Sequence, residues 1–394
     1  MWNGRLRVAC AMRHELPDRV PVFCQLALGH YFLNAGIPAE QIWFTSEGFA
    51  DALVTMQRRY RFDGILINLP GRHSGLLNRV KRVESAGNST RLIWETGEAT
   101  VMPPDDNPQH YTVSGGSLAR AVFAETDPDH LEHIGRIAGY AWNIYHAPPF
   151  ENTIPEGVGT EIPPCFSRTI ELVKEITRGE VSVHGEVFSP FTHFMELFGY
   201  EAALEALIVD PAKSCAILDR LTGPAIAWGT AQARVGVDAV LISSAFAGGG
   251  FISRAMYERF VLPFERRLVE AVHMAGVPVY THTCGRLGDR LDLLAATGTD
   301  GVDTLDPPPL GNVELSDAKK QIGNRLFIKG NLNAVELLSF TERNEVEQAV
   351  MRCLVAGMPG GGYILSTACS VAPRVQPWKL EMLVPLAEKH GRYS

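Results

Sequence analysis

The sequence predicts an α/β protein built as a single (β/α)8 barrel spanning residues 1–394, with a large insertion between its second and third strands. Three observations lead there. Eight apolar, strand-like runs recur along the chain, each followed by a polar or Gly/Pro turn. Helical stretches separate several of them, and strands alternating with helices imply a parallel sheet. Eight such units close most simply as a barrel, which can reach 394 residues as one domain when it carries insertions. A doubly wound open sheet is the alternative.

The runs are 21–27 (PVFCQLA), 64–69 (GILINL), 181–187 (VSVHGEV), 239–245 (AVLISSA), 278–284 (PVYTHTC), 301–306 (GVDTLD), 326–333 (LFIKGNLN) and 362–369 (GYILSTAC). Residues 254–276 precede the fifth as a helix that Gly276 should stop. Residues 289–298 precede the sixth, and 342–357, closed by Gly357, precede the eighth. The second and third runs are far apart, and the insertion is placed at 85–160. Within it, 90–102 (TRLIWETGEATVM) reads as a hairpin turning at Thr96-Gly97, 117–146 reads as largely helical, and the Pro-rich 146–164 reads as a loop over one barrel mouth. Such an insertion shapes substrate access, or supplies packing or a subunit contact, so a homodimer is an open expectation.

Composition narrows the class. The chain is 46% hydrophobic and 20% charged, with a net charge of −8 and no Lys/Arg run, so nucleic acid is not an expected partner. No apolar run is long enough to span a bilayer, and the N-terminus lacks a signal-peptide core, so no membrane is expected and the reading is cytoplasmic. Seven scattered cysteines do not suggest a disulfide framework.

Two of those cysteines stand apart. The fifth run ends in THTCG, and residues two apart on a strand face one side, so His282 and Cys284 point to one place. Cys369 ends the eighth run. In a barrel these strand ends open on the same face, where the three side chains can converge. One imidazole and two thiolates suit zinc, and three protein ligands leave a position open for chemistry. Buried core residues and thiol chemistry remain open as alternatives for the same three. Glu186, ending the third run, is a candidate catalytic carboxyl, either a fourth oxygen ligand or an acid/base group, with a surface or core-network carboxylate as the competing reading. His184 reads as a satisfied barrel-interior histidine. Asp303, Asp306, Asn331 and Asn333 fall at the predicted rim, to hydrogen-bond a substrate or cofactor or, equally, to cap the following loops; Asp303 and Asn331 are the cofactor-binding candidates. The glycines of 245–250 (AFAGGG) allow close backbone approach or a lid. Those of 357–362 (GMPGGG) sit before a strand and read as a helix stop and turn.

Longer stretches carry a resemblance. ELPDRVPV (15–22) resembles the P-D-R-x-P-V entry to the first strand in the uroporphyrinogen decarboxylase superfamily. FSPFT (188–192) resembles its G-P-F-T segment with Ser189 in place of Gly. Residues 236–268 resemble its G-A-D…ISP…F…LPY segment, and KGNLNAVELL (329–338) its G-N-x-D-P…L stretch with Asn333 in place of Asp. The resemblance covers nearly the whole chain except 85–160 and implies a single (β/α)8 barrel. The decarboxylase branch carries R-Q-A-G-R-Y after its first strand; here the stretch is QLALGHY (25–31), without arginines to neutralise a polycarboxylate. A decarboxylase-like lyase is therefore the disfavoured alternative. The corrinoid-dependent methyltransferase branch carries H-x-C-x(n)-C, matched by His282, Cys284 and Cys369. That match implies zinc at those residues and methyl transfer to or from a corrinoid. The reading it implies is demethylation of a small methyl donor, for instance an aryl methyl ether, onto cob(I) corrinoid. The alternative is transfer from a methyl-corrinoid to a thiol or tetrahydrofolate. No D-x-H-x-x-G corrinoid-carrying motif is present, so the corrinoid is expected from a partner corrinoid protein or free in solution. Aromatics in the insertion (Trp94, Tyr111, Trp142, Tyr145, Phe150) and after the third run (Phe188, Phe191, Phe194) suit an aromatic methyl donor, or ordinary packing.

Overall fold

The computed structural model describes residues 2–69, 71–117, 120–131, 162 and 164–393. Seven parallel strands form one sheet: β1 (Gly64–Ile67), β6 (Ser182–Phe188), β7 (Ala239–Ser243), β8 (Val279–Thr283), β9 (Gly301–Thr304), β10 (Phe327–Leu332) and β11 (Tyr363–Thr367), neighbours in that order. A second, antiparallel sheet comprises β2 (Val80–Ala86), β3 (Ser89–Trp94), β4 (Ala99–Met102) and β5 (Gln109–Tyr111). The expected eighth strand, 21–27, is not a regular strand. It makes isolated parallel bridges, Val22 to Leu365 and Leu26 to Val371. The reason is local: Pro21 has no N–H to give a ladder, so the segment joins by few bonds. Phe23 N–H donates to Leu365 on β11, and Asp63 N–H, next to β1, donates to the Val22 carbonyl. The segment therefore bonds to both edges of the sheet and curls it.

The strands are buried along almost their whole length because both faces are covered. Their inner face packs Phe23, Leu66, Ala239, Leu241, Tyr280, Phe327 and Ile364 against Val8 and Ala11 of the helix Gly4–Met12, which closes the end where the strands begin. Helices alternate with strands as anticipated and carry ordinary start signals. Ser189 accepts from Thr192 N–H ahead of Pro190–Phe198, and Asp210 accepts from Lys213 N–H ahead of Pro211–Val235. The expected helix over 254–276 is two, Arg254–Phe260 and Leu262–Met274, because Pro263 cannot continue the first and instead opens the second.

The hairpin at 90–102 is present as β3 and β4, with Gly97 at φ +87° in its turn. Its sheet packs Leu92, Trp94 and Met102 into the main core, Trp94 edge-on to Phe44 at 5.1 Å. The helical reading of 117–146 holds one 3-10 turn, Phe123–Glu125, in the described part 120–131. The rest of that stretch lies outside the described residues, as do Trp142, Tyr145, Phe150 and most of the Pro-rich segment. In 357–362 the turn is real, with Gly360, Gly361 and Gly362 all at positive φ. Gly357 itself closes the helix Arg343–Gly357, where a Cβ would come within 2.6 Å of the Tyr363 ring. No described helix is long and apolar enough to cross a membrane.

Candidate metal centre

The strand register explains which side chains meet. His282 on β8 lies directly opposite Asp303 on β9, and Asp303 directly opposite Lys329 on β10. On the other side His282 faces Ser243 of β7. All are inner-face positions near the strands' C-terminal ends. One step past β8, Cys284 turns inward; two steps past β11, Cys369 approaches from the opposite side.

The three sequence-predicted ligands come together. Cys284 Sγ is 3.4 Å from His282 Nε2 and 3.9 Å from Cys369 Sγ, and Cys369 Sγ is 4.0 Å from the same nitrogen. Zinc held tetrahedrally, with bonds of about 2.3 Å to sulfur and about 2.0 Å to nitrogen, needs S···S near about 3.8 Å and N···S near about 3.5 Å. The donors present meet those spacings to within about half an ångström. Among the described residues this is the one group of three or more His, Cys, Asp or Glu donors so arranged. His282 Nδ1 is turned away from the thiols and lies 3.0 Å from Asp303 Oδ2, which fixes the ring and leaves Nε2 for the centre.

The electrostatics of the metal-free protein follow from this packing. Burial opposes a charge on His282, but Asp303 and the Cys369 sulfur outweigh it and lift the imidazole to about 10. The hydrogen bond from Cys284, with His282 beside it, holds the Cys369 thiol well below its ordinary value; the same bond and burial push Cys284 up. Burial raises the Asp303 carboxyl, and Lys329 and His282 overcome this and lower it.

Glu186 sits half-buried on β6, outside the three-donor group. Loss of water pushes its carboxyl up to about 7, against the opposing pull of His282 and Ser243. Asp306 is raised by burial to about 6, and its Oδ2 accepts from Gly285 N–H at 2.7 Å, tying down the turn after Cys284. That turn is also clamped from the β7 side. Gly249 N–H donates to Arg286, and a Cβ on Gly248 would lie 2.3 Å from the Cys284 carbonyl. Gly248 and Gly249 therefore serve close backbone approach, while Gly250 faces open space.

Two expected cofactor contacts take other partners. Asp303 is 3% exposed, with one oxygen on His282 and the other 2.9 Å from Lys329 Nζ. Asn331 is 6% exposed, and its amide donates to the Leu305 carbonyl. Both are buried in the wall and already hold these protein partners. Asn333 caps the helix Ala334–Ser339. His184 is fully buried between Tyr280 Oη and Ser182 Oγ, as its reading required. Of the described aromatics named from the sequence, Trp94, Phe188, Phe191 and Phe194 are buried in the core, and Tyr111 is half-buried. Lys329 was missed. A lysine inside the apolar run LFIKGNLN, two residues before Asn331 and so on the same face, was the available signal.

The family model described as uroporphyrinogen decarboxylase (URO-D) matches residues 155–390. The chain belongs to this family. Among curated relatives, a uroporphyrinogen decarboxylase from Syntrophotalea carbinolica is 30% identical over 229 residues, 56% of this chain and 63% of that protein. A methylated-thiol–coenzyme M methyltransferase from Methanosarcina mazei is 28% identical over 267 residues, 68% of this chain and 62% of the relative. A methylcobamide:CoM methyltransferase from Methanosarcina acetivorans is 24% identical over 221 residues, 56% and 62%. The chain spans less than two thirds of the length of these three. A solved methyltransferase from Methanosarcina mazei shares the fold over 99% of both chains, with a TM-score of 0.70 at 16% identity.

Proposed function

We propose that this URO-D family member is a zinc-dependent corrinoid methyltransferase on a (β/α)8 barrel whose eighth position is taken by residues 21–27. The observation that carries the proposal is the spacing of the His282, Cys284 and Cys369 donors. Bound there, zinc would supply Lewis acidity to a heteroatom that gains or loses a methyl group. The protein's part is to hold that donor set. His282 offers a neutral nitrogen, steered by Asp303, and two thiolates make the set formally neutral and suited to a soft or anionic ligand. Glu186, desolvated and within the electrostatic reach of His282, would hand a proton to the departing heteroatom or take one from an incoming thiol. Residues 25–31 bring no cation for a polycarboxylate. Their one titratable imidazole, His30, is buried against Tyr60 and Pro373 and lowered to about 4. This disfavours decarboxylation despite the decarboxylases among the relatives.

In the direction proposed, a small methyl donor gives its methyl to a cob(I) corrinoid, brought by a corrinoid protein or free, and leaves as an alkoxide, phenoxide or thiolate. The insertion would shape access to the mouth; in support, a Cβ on Gly29 would strike the Asp105 carbonyl at 2.1 Å, so Asp105 lies against the helix Leu28–Asn34. The second reading is transfer from a methyl-corrinoid to a thiol. It is favoured by the activities named for the two methyltransferase relatives. One experiment separates them. Zinc-loaded protein is given reduced cobalamin with a panel of methyl ethers and methyl thioethers, then methylcobalamin with thiols or tetrahydrofolate, and the corrinoid absorbance is followed. Methylation of the reduced corrinoid supports the first reading. Demethylation of methylcobalamin alone supports the second, and neither reaction, with zinc bound, defeats both.

A further inference from the structure

Behind the three donors lies a buried cation with no route to a substrate. Lys329 is 1% exposed and projects from β10 into the barrel. Its ammonium lies 2.9 Å from Asp303 Oδ1 and 5.0 Å over the Phe23 ring. Asp303 spends its second oxygen on His282 Nδ1 at 3.0 Å. Because the three residues are directly opposed across β8, β9 and β10, the chain Lys329–Asp303–His282 runs straight across the sheet and ends at Nε2, facing both thiols.

We propose that Lys329 is a positioning residue for the metal centre, acting through Asp303 to fix the orientation of the His282 ring. This rests on the metal reading above. The physical reason is that a carboxylate held at one oxygen swings about its Cβ–Cγ bond, whereas one held at both oxygens by opposed partners does not. With Lys329 in place the Asp303 plane is set, so the imidazole it accepts from is set, and Nε2 needs no reordering to meet a metal. Outer partners of this kind typically change metal affinity by about 10- to 100-fold when removed. Lys329 Nζ hydrogen-bonds Asp303 and none of the three donor atoms, so its effect on them is relayed.

The test is zinc affinity, measured by competition with a coloured chelator, alongside the melting temperature of the zinc-free protein and the visible d–d spectrum after cobalt(II) substitution. Lys329→Met keeps the length and removes the charge. Asp303→Asn/Lys329→Met removes both buried charges and decides the matter if the single variant does not fold. The expectation is a zinc affinity about 10- to 100-fold weaker, an altered cobalt spectrum, and no further loss when Lys329→Met is added to Asp303→Asn. Zinc binding within twofold of wild type in a folded variant would overturn the proposal, as would an equal loss from Lys329→Met in both backgrounds. If the wild type itself binds no zinc, the metal reading fails and takes this inference with it; the other outcomes sink the relay alone.

Discussion

Asp63 and Asp303 are both 3% exposed, both inside the same curled sheet, and both paired with a cation, yet they stand at opposite ends and do different work. Asp63, where β1 begins, takes two bonds from Arg19 (2.7 and 3.1 Å), one from Arg7 (3.2 Å) and one from Val22 N–H (2.8 Å). Each donor is permanent. The carboxylate pins the irregular segment 19–22 to the sheet edge, where regular strand bonds are lacking. Asp303, near where β9 ends, is shared between one permanent cation and an imidazole whose other nitrogen meets two thiols. The first arrangement is saturated and can only stabilise. The second leaves its last member with a free coordination site. A buried ion pair is therefore not by itself a sign of function; what matters is whether the chain of partners terminates or stays open.

The comparison can be broken at its closed end first, where the largest effect is expected. Asp63→Asn leaves Arg19 buried beside a neutral amide, and removing one partner of a buried pair costs about 3–5 kcal/mol. Urea unfolding should show that loss, while zinc bound per folded chain stays unchanged. A loss under about 1 kcal/mol, the range of an exposed pair, would mean that the clamp does not hold the sheet's edge.

A smaller effect sharpens the contrast from beside the open end. Glu265 is fully buried, accepts from Ser244 Oγ, and is pushed by burial from 4.5 to about 7. Between those values the folded protein keeps the proton and the unfolded chain does not. This contribution is thus fully present below about 4.5 and lost as pH rises through about 7. Glu265→Gln cannot ionise, so the stability of the variant relative to wild type should climb across that window and level off above it. Melting curves of both proteins from pH 4.5 to 8 measure this. A difference independent of pH would show that Glu265 is ionised throughout.

Much of this was legible in the chain. Seven of the eight expected runs are strands with ends within two residues of those anticipated, because buried parallel strands read as short apolar runs between turn residues. His282 and Cys284 could be paired from the two-residue strand period, and Cys369 from the rule that strand C-termini share one face. The closing segment was misjudged as a full strand because its apolar pattern conceals the missing N–H of Pro21. For Asp303 and Asn331, sequence gives the strand end but not its depth. Across the register, Asp303 is level with His282, already below the mouth. Lys329 and Asp63 owe their roles to partners 26 and 44 residues away, which no local pattern reveals.

The central claim, that His282, Cys284 and Cys369 hold a catalytic zinc, is tested most directly by X-ray absorption at the zinc edge of the purified protein. The account predicts about one zinc per chain, with two sulfur neighbours near about 2.3 Å, one imidazole nitrogen near about 2.0 Å and one further light atom. Replacing Cys284 or Cys369 by Ser should each remove one sulfur from that shell or empty it. A shell of oxygen and nitrogen alone, or two sulfurs that persist unchanged in both serine variants, would contradict it.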